Sequence, residues 1–528
     1  MTFSPEDSLA LLAILAVVAL LLVVAERTSI PYPILLVVGG LGLGFIPGIP
    51  EFQLPPDLVL VAVLPPLLYG AAFFTSLRDL RENAFAITLL AIGLVLSTML
   101  IVAVVAHELI PGLSWGVAFV LGAVVSPTDP TAATAIAERL GLPRRLVALI
   151  EGESLVNDGT ALVAYKFAVI AVVSGTFSMS EAAGSFALNV VGGIAVGLGV
   201  GVVVRHVRRK IKDPALAITL SLMSGYFAYL PAIAIGVSGV LAAVTIGIYM
   251  GWYTPELTTW QTRLQGIAVW EITFFILNAL LFALIGLQLP VILDALSGYS
   301  PARLVGYAAV VSLAVIGARF LWVIPGTYLT AWMRRVKHPI QNPGRASIIL
   351  GWSGMRGAVS LAAALALPLT IDSGDDFPNR DLIIFLTFGV ILASLVVQGL
   401  SFPALLKVVG LEDEGRTEKE ENKARIYATE AALARLEDLA DEDWVRDDTL
   451  NRVRAMFNFR NQRFRSRFDP ESDGEIENRS LDYQRLLREL LAAERNAVFD
   501  LRRERRIDDV VMRRVIRDLD LEEARLDG

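Results

Sequence analysis

Residues 151–160 read EGESLVNDGT and crowd three carboxylates (Glu151, Glu153, Asp158), a serine and an asparagine into the start of a long apolar run. On a helix, Ser154 and Asp158 are four apart and share a face, while Glu153 and Asn157 pair on the adjacent stripe. One stripe can offer oxygen ligands to a hard monovalent cation; the other can hold a salt bridge and orient the site. A second polar island, SPTDP at 126–130, sets Thr128 and Asp129 between two prolines. Each proline lacks an N–H and frees a carbonyl one turn back. Hydroxyls and carbonyls of Thr128 and Ser154, with the Asp158 carboxylate and water, would make an oxygen shell suited to sodium. A third island, GWSGMRG at 351–357, has three glycines, a serine and Arg356, and Arg319 stands alone in a further apolar run. Arginine keeps its proton at physiological pH, so Arg319 and Arg356 read as fixed counter-charges for Glu153 and Asp129.

These residues need a frame that can bury them. The 528-residue chain is 55% hydrophobic and 19% charged, with a mean hydropathy of +0.59. Residues 1–410 are a series of apolar runs; residues 411–528 hold 31 acidic and 24 basic residues, so the formal charge of −7 belongs to the tail. That charge gives no reason to expect a nucleic-acid partner. There is no cysteine, which removes disulfides and thiolate chemistry. The only histidines are His107, His206 and His338, too few and too scattered for a zinc site. A bilayer span needs about 20 apolar residues. Thirteen are predicted: 8–25, 30–46, 57–75, 84–106, 115–137, 146–173, 184–204, 214–230, 235–251, 265–289, 304–330, 346–369 and 381–406. Pro231 and a few small residues after it are taken as the divider of the eighth and ninth. The first run is read as a span and not a cleaved signal, because its flank is acidic (Glu6, Asp7). On this alternation one set of loops holds sixteen Lys and Arg and the other only Arg303 and Arg380. The bias predicts the N-terminus outside and the tail in the cytoplasm.

The polar islands fall at the middle of their spans. Thr128 and Asp129 lie near the centre of the fifth, Asn157 and Asp158 of the sixth, Arg319 of the eleventh and Arg356 of the twelfth. Ionisable groups at that depth are costly and are functional candidates by default. Each taken singly is equally well a buried structural ion pair; convergence on one depth, beside two interrupted helices, favours a site. Interrupted backbone at membrane depth survives only where it lines a cavity or is buried in protein. Spans four to six and eleven to thirteen each carry a break in the middle helix, a spacing that suits an inverted repeat.

SPTDPTAATAI, EGESLVNDGTALV, the GARF of the eleventh span and GMRGAVSLAAAL resemble the monovalent cation/proton antiporters of the sodium/proton exchanger type, in their bacterial form. LPPLLYGAAF at 64–73 resembles that family's early-span motif. The resemblance covers about residues 1–410. It implies an all-α polytopic membrane protein of about thirteen spans with inverted repeats and two broken crossing helices, followed by a small helical cytoplasmic tail (411–528). It further implies a homodimer in the bacterial inner membrane. An ion-carrying core (about 84–173 and 304–406) would move against a dimerisation scaffold (about 8–75 and 184–289). By resemblance Asp158 is the ion- and proton-binding carboxylate, and Thr128, Asp129, Ser154 and Asn157 line the site. Glu153 and Arg319 are a stabilising charge pair, and Arg356 sits beside the crossed helices. Sodium would be held by Asp158, Thr128 and Ser154; no cofactor is expected beyond the transported ions.

The residues then suggest a mechanism. If cation and proton compete for the oxygens of Asp158 and the carrier crosses only when loaded, each turnover swaps one for the other. The exchange is electroneutral. Potassium in place of sodium is the alternative within this mechanism. A remote one is an intramembrane aspartyl protease with Asp129 and Asp158 as its dyad; a passive channel fits paired breaks less well. Weaker candidates are Glu151, for drawing cations inward, and Lys166, Glu271, Asn278, Gln288 and Gln398, which lie within spans. Gly193, Gly197 and Gly201 form a small-residue stripe suited to close helix packing, within or between protomers. In the tail, Ile426, Leu433, Leu436 and Ala440 recur at helical spacing, as do Tyr483, Leu486, Leu487, Leu490 and Leu491, then Val511, Val515 and Leu519. Residues 469–478 read as a linker.

Overall fold

The computed structural model describes residues 16–25, 27–28, 30–46, 58–175, 179–296, 298–332, 342–410, 416–467 and 475–526. The chain divides into two units, Met1–Asp413 and Glu414–Gly528. The first contains α1 (Ala16–Ala25), α2 (Tyr32–Gly44), α3 (Val59–Phe74), α4 (Ala84–Leu109) and α5 (Trp115–Val124). Then come α6 (Thr131–Arg139), α7 (Arg144–Ser174), α8 (Met179–Arg208), α9 (Pro214–Ala234), α10 (Gly239–Leu257) and α11 (Trp260–Leu287). It closes with α12 (Pro301–Trp332), α13 (Pro343–Trp352), α14 (Ala358–Leu365) and α15 (Arg380–Val409). Seven helices among the described residues are long and apolar enough to cross a membrane, within α4, α7, α8, α9, α11, α12 and α15. Their outer faces are oily: Leu188, Val191 and Val203 of α8 are 66%, 65% and 62% exposed. On a helix with its backbone bonds closed internally, that is a lipid-facing surface.

Local chemistry sets the ends. Ser114, Asp213 and Ser238 accept the N–H of Val117, Leu216 and Leu241 at the starts of α5, α9 and α10. Gly175 and Gly410, with φ of 69° and 60°, close α7 and α15. Pro231 does not divide the eighth and ninth spans as expected: it lies inside α9. The turn comes at residues 235–238, where Gly236 adopts φ 82°. The proline lacks only a donor that a helix can forgo, whereas the left-handed glycine reverses the chain.

The membrane unit packs as two sets of helices. In one, α2 lies on α11, α3 and α8 on α10, and α9 against α10 and α3. In the other, α5 packs on α4 and α7, and α12 on α4, α13 and α15. The glycine stripe of α8 packs within the chain: a Cβ at Gly197 would come 2.6 Å from the Ala242 carbonyl oxygen on α10.

The second unit comprises α16 (Arg416–Asp438), α17 (Asp447–Ser466), α18 (Glu475–Arg503) and α19 (Asp509–Ala524). Arg454 of α17 reaches both oxygens of Glu437 on α16, at 2.8 and 2.9 Å. Arg495 of α18 bridges Asp520 and Glu523 of α19. Residues 469–474 of the expected linker lie outside the described residues, and 475–478 begin α18 instead. The expected apolar stripe of α18 splits: Leu491 is buried, while Tyr483, Leu486 and Leu490 are exposed. Likewise Leu519 is buried and Val511 and Val515 are exposed.

Candidate functional site

Two interruptions meet in the middle of the membrane unit. Residues 126–130 separate α5 from α6, and residues 353–357 separate α13 from α14. They cross, and the Asp129 N–H donates to the Met355 carbonyl at 2.8 Å. The Asp129 carboxylate accepts the Thr131 N–H at 2.9 Å and so caps the first turn of α6, where the helix dipole favours a negative charge. Arg356 is 1% exposed. Its Nε donates to the Val125 carbonyl at 3.1 Å and its Nη1 to the Gly354 carbonyl. Its backbone N–H donates to Ser394 Oγ at 3.0 Å. The expected Arg356–Asp129 ion pair is therefore not formed. The arginine satisfies carbonyls orphaned by the two breaks, and Asp129 finds its partner in a helix N-terminus. The crossing is also tight. A Cβ on Gly357 would lie 2.6 Å from Cβ and Cγ of Asp129, both hemmed in by backbone. Gly357→Ala is expected to destabilise the protein by about 1–3 kcal/mol through overpacking and to impair transport, seen as a lower Tm in detergent alongside slower ion exchange.

The third contributor is α7. Glu153 and Arg319 form a buried ion pair, Nη1 to Oε1 at 2.6 Å and Nη2 to Oε2 at 2.9 Å, each side chain 1% exposed. Arg319 Nε also donates to the Leu350 carbonyl at 2.8 Å, which ties α12 to the end of α13. Thr128 is the hub between α7 and the first break. Its hydroxyl donates to Glu153 at 3.3 Å and accepts from Asn157 Nδ2 at 2.7 Å. Its carbonyl accepts from Ser154 Oγ at 2.6 Å. The chain Arg319–Glu153–Thr128–Asn157 fixes the register of α7 against the broken strand.

Asp158 is 7% exposed, and its Oδ1 is buried with no hydrogen-bond partner. A buried polar atom left bare is expensive. Asp158 lines a cavity of about 520 Å³ that extends to Phe74 and Thr75 at the end of α3. Thr128, Asp129 and Ser154 line the same cavity. Asn157, Glu153, Arg319 and Arg356 do not line it; they stand behind the wall. Ser154 spends its proton on a carbonyl, which leaves its oxygen lone pairs free for a cation.

Sequence reasoning missed Ser360. Its Oγ is buried and unpartnered, and the residue lines the cavity. The available signal was that it is the only polar side chain of α14. Glu151, Glu271 and Asn278 line the cavity, and among the described residues no Lys, Arg or His does. Lys166 is exposed and outside it, Gln288 is buried, and Gln398 donates to the Trp352 carbonyl at 3.1 Å. His107 stacks on Trp115 at 4.2 Å, His206 is exposed, and His338 lies outside the described residues.

Discontinuous helices meeting around a mid-depth polar site are the architecture of secondary transporters. The chain belongs to the sodium/hydrogen exchanger family: the model of its transmembrane domain matches residues 12–408. An uncharacterised Na+/H+ exchanger of Mycobacterium tuberculosis is 36% identical over 522 residues, covering 98% of this chain and 95% of that one. The low-affinity Na+/H+ antiporter NhaS1 of Synechocystis is 32% identical, covering 83% and 81%. A sodium, potassium, lithium and rubidium/H+ antiporter of Bacillus subtilis is 34% identical, covering 71% and 58%. The fold is that of the sodium proton antiporter MjNhaP1 of Methanocaldococcus jannaschii, with a TM-score of 0.59 at 22% identity over 77% of this chain and 100% of that one.

Proposed function

We propose that this antiporter exchanges Na+ for H+ one for one, by alternating access, with Asp158 binding either ion in turn. The observation that carries the reading is that Asp158, a lining residue of the cavity, keeps a buried carboxylate oxygen with no hydrogen-bond partner. Protonation or a cation would satisfy the same atom, so the two exclude each other. Thr128, Ser154 and Ser360 supply further oxygens, and Asp129 holds negative charge at the start of α6. Glu153 and Arg319 cancel one another, and Arg356 is engaged by carbonyls, so none of these need change charge during turnover. No hydrogen bond joins the carboxyls of Asp129 and Asp158 among the described residues, which favours a carrier over a protease dyad.

In this reading the set α4–α7 with α12–α15 is the mobile core, two inverted three-span units whose middle helices are the broken ones. The set α2, α3 and α8–α11 is the scaffold that pairs with a second copy. The chain crosses thirteen times, with the N-terminus outside and the tail in the cytoplasm of a bacterial inner membrane. The arginine-bearing loops 76–83 and 139–145 then share the side to which the cavity opens, which faces inward.

Proteoliposome exchange with an entrapped pH dye, comparing lithium, sodium and potassium, tests the reaction and ranks the ions. The breadth of the Bacillus relative's name makes potassium the comparison that matters. One-for-one exchange also predicts indifference to voltage. An uncompensated charge would feel about 2.3 kcal/mol per 100 mV, roughly a fiftyfold shift in the balance point; none is expected when valinomycin sets the potential in sodium medium. A sodium-dependent current would show another stoichiometry.

A further inference from the structure

We infer that Glu271 is a cation-capture group that acts from one face of the membrane only, a role that rests on the alternating-access reading above. Glu271 lies on α11 and is exposed at the cavity wall. It makes no hydrogen bond or ion pair among the described residues. A charged side chain in the interior of an apolar 28-residue helix is costly to keep unless water reaches it. Here its surroundings are a cavity that is also lined by Asp158, itself 7% exposed with a buried, unpartnered Oδ1. Among the described residues no basic side chain lines the wall beside it. The other charged lining groups, Asp129, Glu151 and Asp158, are acidic; Arg319 is paired with Glu153, and Arg356, outside the lining, turns its Nε and Nη1 to the Val125 and Gly354 carbonyls.

Position separates Glu271 from the other acids. Asp129, Glu151 and Asp158 sit on or beside α6 and α7. Glu271 sits on α11, which packs chiefly on α2. Charges that travel with the ion site act on it in every state. A charge on the stationary set acts only while the site faces it, through a vestibule whose low-dielectric walls concentrate the potential. Glu271 therefore raises the rate and affinity of cation loading from the side to which this cavity opens, and is silent on the opposite side.

The test compares Glu271→Gln, Glu271→Asp and Glu271→Lys in everted and right-side-out membrane vesicles. At low ionic strength the Gln variant is expected to raise the sodium KM about three- to tenfold in everted vesicles, the size of one carboxylate acting across several ångströms of wet protein. The Lys variant should raise it further and the Asp variant should restore it. Maximal rate, and the KM in right-side-out vesicles, should not move. Added choline chloride should shrink the difference, since the Debye length falls to about 10 Å at 0.1 M. An unchanged KM in active everted vesicles, an equal change on both faces, or an effect indifferent to choline would each overturn the assignment. Should the Gln variant fail to reach the membrane, the Lys variant, compared with the native protein on both faces with and without choline, decides. Asp158→Asn separates the two claims: exchange that survives it removes the underlying mechanism, whereas a silent Glu271→Gln removes only the capture role.

Discussion

Asp158→Asn protein is expected to insert, fold and exchange no ions above the background of empty liposomes. The substitution preserves shape but removes both the negative charge and the proton site. A cation placed against a neutral amide in place of a carboxylate loses an interaction of about 3–5 kcal/mol, about two to three and a half decades in affinity. The amide cannot carry a proton back, so even a weakly bound cation would have no counter-substrate. Stability should move the other way. The native carboxylate is buried with a bare oxygen, and a neutral isostere removes that desolvation burden. The unfolding temperature in detergent should therefore equal or exceed that of the native protein. Exchange at native rates would exclude Asp158 as the carrier of either ion.

Arg319→Ala is expected to be the most destabilising single change in the membrane unit. It would leave Glu153 buried at 1% exposure without its two-pronged partner, at about 3–5 kcal/mol. It would also free the Leu350 carbonyl. The loss should reach the ion site, because Glu153 holds the hydroxyl of Thr128 and Thr128 holds Ser154 and Asn157. Neutralising both partners, Glu153→Gln with Arg319→Met, should recover part of the stability, since the cost lies chiefly in the uncompensated charge. A double-mutant cycle on unfolding temperature measures the coupling; a double variant no better than Arg319→Ala would show that the pair matters for packing and not for charge.

Much of this arrangement was legible because its chemistry is local in sequence. Prolines 127 and 130, and the glycines of 351–357, announce broken helices by what they deny the backbone. Glu153 and Arg319 were legible as partners because each is expensive alone at that depth. The partners of Arg356 were not legible. They are carbonyls, and every residue has one; only the crossing of the two breaks shows which are left over. Asp129 was paired with the wrong neighbour for the same reason, since a helix N-terminus is a cation without a side chain. Of the expected divider, Pro231 continues the helix, and the turn comes a few residues on, at Gly236. Ser360 was passed over in a run of alanines, where one hydroxyl changes hydropathy little and the wall of a cavity a great deal.

The charged groups among the described residues of the cavity lining are all acidic, which has a bearing on selectivity. Sodium, potassium and the proton each carry one positive charge, so a distant carboxylate cannot tell them apart; it enriches all three by the same factor and leaves their ratio as it was. Discrimination has to arise within ångströms of Asp158, where ionic radius and dehydration decide how closely oxygens can approach. Attempts to re-engineer which alkali metal is carried should therefore target Ser154, Thr128 and Ser360, and leave the rim alone.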